Sequence, residues 1–366
     1  MFEPVTLGRH VLRNRIVMAP MTRGFATNGV PSKLTSEYYR RRAAGGVSLI
    51  ITEGIAVSDG ACHPAKRVPR LFESAAPIWR DVVNQVHAEG GFILAQLWDT
   101  GLLLSIGLEQ DIREGMGPSG QYPVGGESSF ISGRVMSKKD IAAAIEAFAQ
   151  SAVDAQSIGF DGVELHGAHG YLIDQFFWKE TNCREDSYGG DLAQRTRFCA
   201  ELIATIRSRV GPNFLIALRF SNWKLAGHYE AKLVGSAAEL SEFLAPLAAA
   251  GIDMFDCSTR RYWEPAFAAS PLTLAGWTRR LAGKPTMAVG SVGLDGPLMA
   301  TRRELASIAN PTSDLSRLMK MIESGECDLV GVGRALIANP DWATKVKNGD
   351  FAELLAYSPE ALGTLD

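Results

Sequence analysis

Eight short apolar runs rich in β-branched residues, each followed by a helical pattern, limit the fold of this chain more than any other feature. They span Ile16 to Ala19, Ser48 to Thr52, Phe92 to Leu97, Gly162 to His166, Leu215 to Arg219, Asp253 to Asp256, Thr286 to Val289 and Asp328 to Gly331. Strands buried on both faces read as continuous apolar runs, and eight of them with helices between predict an α/β fold, a (β/α)8 TIM barrel. The helix from Ser137 to Gly159 is the clearest. Ser137 can cap it, Ile141, Ile145, Phe148 and Ala152 form its apolar stripe, and Gly159 stops it. Similar patterns predict helices over Lys33 to Ala44, Glu73 to Ala88, Asp191 to Arg209, Gly235 to Ala249 and Leu315 to Ser324. Val5 to Leu12 is expected to form a hairpin closing the barrel bottom.

A chain of 366 residues can fold as one such barrel, and no linker, repeat or low-complexity tract divides it, so residues 1–366 are read as a single catalytic domain. Two connections, Leu102 to Met136 and Val292 to Thr312, exceed normal loop lengths. Loops that long usually serve function, and both are expected on the C-terminal face.

Chemistry in such barrels sits at the carboxyl ends of the strands. The fourth run leads into GFDGVELHGAHGYLID, whose His166, His169 and Tyr171 would share one rim. Two neutral imidazoles can donate hydrogen bonds to one carbonyl oxygen, or can ligate a metal. Zinc would need a third ligand, yet no cysteine lies near and Glu164 is expected to face the barrel core or away from the histidines. Pro20 halts the first run before Thr22, which offers a hydroxyl to the mouth. Gln96 and Trp98 point the same way by strand alternation. Arg219, atop an apolar strand, needs an anionic partner, either a core carboxylate or a cofactor on which negative charge accumulates. Gly290 and Ser291 after the seventh run, with Gly333 and Arg334 after the eighth, suit a phosphate. Arg260, Arg261, Tyr262 and Trp263 after the sixth either clamp a planar or anionic substrate or form an ordinary solvated loop, and Asn222 and Trp223 after the fifth leave the same choice.

Charge and cysteine usage narrow the classes. A net charge of −3 leaves no basic excess for nucleic acid, and no apolar stretch approaches the ~20 residues that span a bilayer. The five cysteines are scattered, with no C-x-x-C pair, which fits reduced thiols in a cytoplasmic enzyme.

Taken together, NRIVMAPMTR at Asn14 to Arg23, EYYRRRAAGGVSLIITEG at Glu37 to Gly54, AQLW at Ala95 to Trp98, HGAHGYLIDQF, YGGDLAQRTRF at Tyr188 to Phe198 and DLVGVGRALIANPDW at Asp328 to Trp342 resemble the Old Yellow Enzyme family of FMN-dependent ene-reductases. The resemblance implies an FMN across the barrel mouth, with Pro20, Met21, Thr22, Gly54, Gln96 and His166 around it. Arg219 would lie near its N1–O2 edge, and its phosphate would rest on Gly290, Ser291, Gly333 and Arg334. It further implies that His166 and His169 grip the carbonyl oxygen of an α,β-unsaturated acceptor while Tyr171 protonates its α-carbon, and that Trp98, Tyr262 and Trp263 contact the substrate. NADH or NADPH would supply hydride in a ping-pong cycle. The same pocket could run dehydrogenation or double-bond isomerisation, and a metal-dependent lyase or hydrolase on the same barrel is the more distant reading.

The chain departs from the family pattern at several points. Asp99 stands where many relatives carry histidine, placing negative charge beside the mouth. His169 is asparagine in many members, and Thr22 is cysteine in one branch. The segment Val292 to Thr312 looks longer than the norm, as a lid or an oligomer contact would. Tyr357 to Asp366 lacks the aromatic finger some relatives lend to a neighbouring subunit, so a homo-oligomer stays open.

Overall fold

The computed structural model describes residues 1–57, 66–103, 115–125, 129–294 and 315–366. Eight parallel strands close into a barrel: β1 (Ile16–Met18), β2 (Leu49–Ala56), β3 (Phe92–Trp98), β4 (Gly162–His169), β5 (Leu215–Lys224), β6 (Met254–Ser258), β7 (Thr286–Val289) and β8 (Leu329–Val332). Neighbours in sequence are neighbours in the barrel, and Val330 of β8 lies beside Ile16 of β1 to complete the circle. The eight runs read from the sequence are these strands. Among the described residues, no helix is long and apolar enough to cross a membrane.

Alternation along the strands sorts the core into two sets. Ile16, Ile50, Ile93, Val163, Ile216 and Phe255 belong to the large outer cluster packed with the helices. Val17, Leu49, Ile51, Leu94, Leu215, Met254, Met287 and Leu329 form a separate inner cluster, joined by Leu7 and Leu12 of the hairpin Val5–Leu7/His10–Leu12. The hairpin thus plugs the barrel bottom. Two residues further along β3, β4, β5 and β6 the inward positions become polar, as Gln96, Glu164, Arg219 and Asp256, all buried. Polar groups in a dry interior must pair with one another.

The helix Lys138–Ile158 starts at Ser137 in a capping box with Asp140 and ends at Gly159 in the left-handed conformation, φ +113°. Replacing Ser137 with Ala is expected to cost about 1 kcal/mol, readable as a lower urea midpoint with unchanged slope. An unchanged midpoint would mean the cap contributes nothing to the folded state.

Some elements extend beyond or escape the sequence reading. β4 continues through His169 and β5 through Lys224, where polar residues hid the strand. Helix Leu274–Ala282 was missed because Gly276 breaks its pattern, and a Cβ there would come within 2.5 Å of Glu326. Trp342–Asn348 was missed as well. The described part of the connection from Leu102 to Met136 forms two small sheets, Met116–Gly117 with Arg134–Val135 and Gln121–Pro123 with Phe130–Ser132. Most of Val292 to Thr312, and Cys62, lie outside the described residues.

Candidate active site

A cavity of about 400 Å³ opens at the carboxyl ends of the strands. Its walls combine Pro20, Met21 and Thr22 after β1, Gln96 of β3, His166, His169 and Tyr171 of β4 and its turn, Arg219 of β5, Gly290 and Ser291 after β7, and Gly333 and Arg334 after β8. The sequence reading converges here for its site residues other than Gly54, Trp98, Asn222, Arg261, Tyr262 and Trp263, and Arg260 joins the wall.

Three residues apart on a regular strand, His166 and His169 would face opposite sides. A register shift between Gly167 and His169, with His169 at φ +65°, turns the second ring back beside the first. The ring centroids lie 5.1 Å apart, and the Tyr171 ring is 4.8 Å from His166. Burial, and then the Arg219 charge, hold both imidazoles well below their usual range, so both stay neutral. Ser258 links the two side chains: Arg219 Nη2 donates to Ser258 Oγ at 3.1 Å, and Ser258 Oγ bonds to His169 Nε2 at 2.8 Å.

The turn that carries Tyr171 is pinned from below. Asp174 Oδ2 accepts from Gly170 N, and Asp174 Oδ1 pairs with Lys224 Nζ at 2.7 Å, both side chains fully buried. Gly170, at φ +85°, is required: a Cβ there would overlap the Tyr122 hydroxyl. Leu225 N donates to His169 O, tying the end of β5 to the same turn. Burial keeps the Tyr171 phenol protonated by raising its pKa.

Beneath the cavity, Gln96 Nε2 donates to Glu164 Oε1 at 2.8 Å, and Arg219 Nη1 lies 3.4 Å from Asp256 Oδ2. Glu164 therefore faces the core, and Arg219 both lines the cavity and meets a core carboxylate. Gly290 has φ +141°, and a Cβ there would strike Thr259 O.

The remaining expected contacts sit elsewhere, among them Arg261, whose Nη1 donates to Glu264 Oε1. Gly54 packs under Trp98, where a Cβ would lie 2.6 Å from the indole, and Trp98 backs onto Tyr171 at 5.1 Å, one ring removed from the cavity. Tyr262 is 1% exposed in the core, and Trp263 packs against that core. Neither lines the cavity, because Tyr262 N bonds to Gly290 O and the chain turns inward there. Asp99 is also buried, with Oδ1 accepting from Gly101 N, so it adds no charge to the cavity wall. Among the described residues, no three His, Cys, Asp or Glu side chains converge as a metal set.

Trp223 stacks on His169 at 4.2 Å and lines the wall, as the clamp alternative expects, whereas Asn222 does not line it. The structure adds wall residues that the sequence did not single out, beginning with Ser258 from β6. Tyr357 and Leu362 fold back over the rim, held where Arg23 donates to Ala361 O and Thr364 O and where the Arg334 guanidinium lies over the Tyr357 ring. No pattern in the sequence marks that return, which depends on contacts more than 300 residues apart.

Over residues 1–353 the chain matches the NADH:flavin oxidoreductase / NADH oxidase family. It is 31% identical over 368 residues to 12-oxophytodienoate reductase 7 of Oryza sativa subsp. japonica, covering 93% of this chain and 86% of the relative. It is 33% identical over 358 residues to a chanoclavine-I aldehyde reductase of Penicillium roqueforti, covering 95% and 89%. Among solved structures, the Old Yellow Enzyme homologue from Zymomonas mobilis superposes with a TM-score of 0.77 at 25% identity, covering 99% of this chain and 95% of that one.

Proposed function

Because the chain belongs to the NADH:flavin oxidoreductase / NADH oxidase family, that of the Old Yellow Enzyme, we propose that it reduces the activated C=C bond of α,β-unsaturated carbonyl compounds. Its membership makes it an FMN-dependent oxidoreductase. The observation that carries the narrower reading is the trio of His166, His169 and Tyr171 on one cavity rim, two neutral donors beside a protonated phenol.

The residues present fit the cofactor. Arg219 Nε and His166 Nδ1 are buried polar atoms with no hydrogen-bond partner outside their own residues, and both residues line the cavity. A flavin edge with an acceptor atom would satisfy the Arg219 donor, and the carbonyl oxygen of a bound acceptor the His166 donor. Pro20, Met21, Thr22 and Gln96 would surround the ring, while Gly290, Ser291, Gly333 and Arg334 would receive the phosphate. Bound FMN supplies the hydride relay from NADH or NADPH to the acceptor.

The protein's own work is then to orient and to move protons. His166 and His169 donate to the acceptor's carbonyl oxygen and stabilise the negative charge that develops there. The Arg219–Ser258–His169 chain keeps the His169 donor in place. Tyr171 holds on its hydroxyl the proton destined for the α-carbon. The cytoplasm is the compartment we assign: Cys199, Cys257 and Cys327 are buried free thiols, as a reducing environment keeps them.

The test is direct. Purified protein should be yellow, release FMN on denaturation and turn over cyclohexenone with NADH or NADPH. A colourless protein with no affinity for FMN would sink the proposal. Flavin reduction by a saturated ketone without nicotinamide would favour dehydrogenation instead.

A further inference from the structure

Glu164 and Asp256 are two carboxyl groups with 0% exposure, on alternate strands, one layer below the cavity. Nothing in the proton transfer above uses either of them. Two carboxylates cannot both stay charged in so dry a place with a single guanidinium beside them. Their partners decide which one ionises. Asp256 has Arg219 Nη1 at 3.4 Å, whereas Glu164 has the neutral amide of Gln96 at 2.8 Å.

We propose that the pair holds one proton, on Glu164, and that the charge left on Asp256 sets the flavin's reduction potential by offsetting the Arg219 charge beside it. Burial raises both groups: with Asp256 beside it Glu164 goes well above the carboxylate range, while Arg219 and then the bond from Glu164 oppose the rise at Asp256. The groups facing the pair are Arg219 from β5 and Gln96 from β3. Reduction adds negative charge to the flavin, so it is favoured by whatever part of the Arg219 field Asp256 leaves uncancelled. Neither carboxyl group lines the cavity, so both are positioning residues that act through Arg219 and Gln96.

The inference rests on the FMN reading, and the experiment separates the two. The potential of the bound flavin is measured by spectroscopic titration against a reference dye in the holoenzyme. Asp256→Asn should raise it by about 30 mV, a tenfold change in the two-electron equilibrium. Glu164→Gln should move it far less, because an amide copies an un-ionised acid. An equal rise in both variants, or none in Asp256→Asn, would overturn the proposal. Difference infrared spectra supply a readout that does not need Asp256→Asn to fold. The C=O stretch of an un-ionised carboxylic acid should be present in the wild type at neutral pH and missing in Glu164→Gln, and its absence from the wild type would overturn the proton's placement. Absence of bound flavin would count against the FMN reading itself, whereas bound flavin with an unmoved potential counts only against this pair.

Discussion

Tyr171→Phe should slow reduction of the acceptor's double bond by about 10² to 10⁴ fold, while reduction of the flavin by NADH or NADPH stays nearly unchanged. The asymmetry follows from where the proton is needed. Hydride transfer into the flavin requires nothing from the phenol, but the α-carbon of the acceptor must receive a proton. Phenylalanine keeps the ring, so the contacts with His166 at 4.8 Å and Trp98 at 5.1 Å survive. Single-turnover stopped-flow traces of each half-reaction measure this without product release. Equal losses in both halves would show that Tyr171 only supports the fold of the rim.

Lys224→Met should destabilise the protein by about 3–5 kcal/mol, because it leaves the Asp174 carboxylate buried without a cation. The acceptor half-reaction should slow as well, since Asp174 holds Gly170 and thereby the turn that aims Tyr171. Adding Asp174→Asn should return most of the stability, because an amide oxygen still accepts from Gly170 and no unpaired charge remains. The pH dependence gives a second check. Burial already raises the Asp174 pKa, and losing Lys224 raises it further. The folded variant then binds a proton more readily than the unfolded chain, so its stability falls as pH rises and its deficit shrinks in acid. Urea melts of the single and double variants over a pH series decide the matter. A single variant as stable as the wild type would mean that Asp174 finds another partner.

The barrel was legible because its strands are buried on both faces, so apolar runs mark them whatever their neighbours do. Strand ends were harder to read. His169 and Lys224 belong to β4 and β5, yet their polarity reads as loop, and only the irregular step after Gly167 explains how two histidines three residues apart face the same space. His166, His169 and Tyr171, and the glycines after β7 and β8, were legible as cavity residues because they lie in short contiguous motifs. Ser258 and Tyr357 are not legible there, since each reaches the cavity only through long-range packing. Tyr262 and Trp263 misled for the opposite reason. Aromatic residues next to arginines suggest a clamp, but the backbone bond from Tyr262 to Gly290 draws Tyr262 into the core and sets Trp263 against it.

The fold-back of Tyr357 and Leu362 matters to anyone handling the protein. Purification tags or fusion partners joined after Asp366 would pull directly on a segment that walls the cavity, through the anchor at Arg23. Appending them before Met1, at the opposite mouth of the cylinder where the hairpin plugs it, keeps the load away from the chemistry.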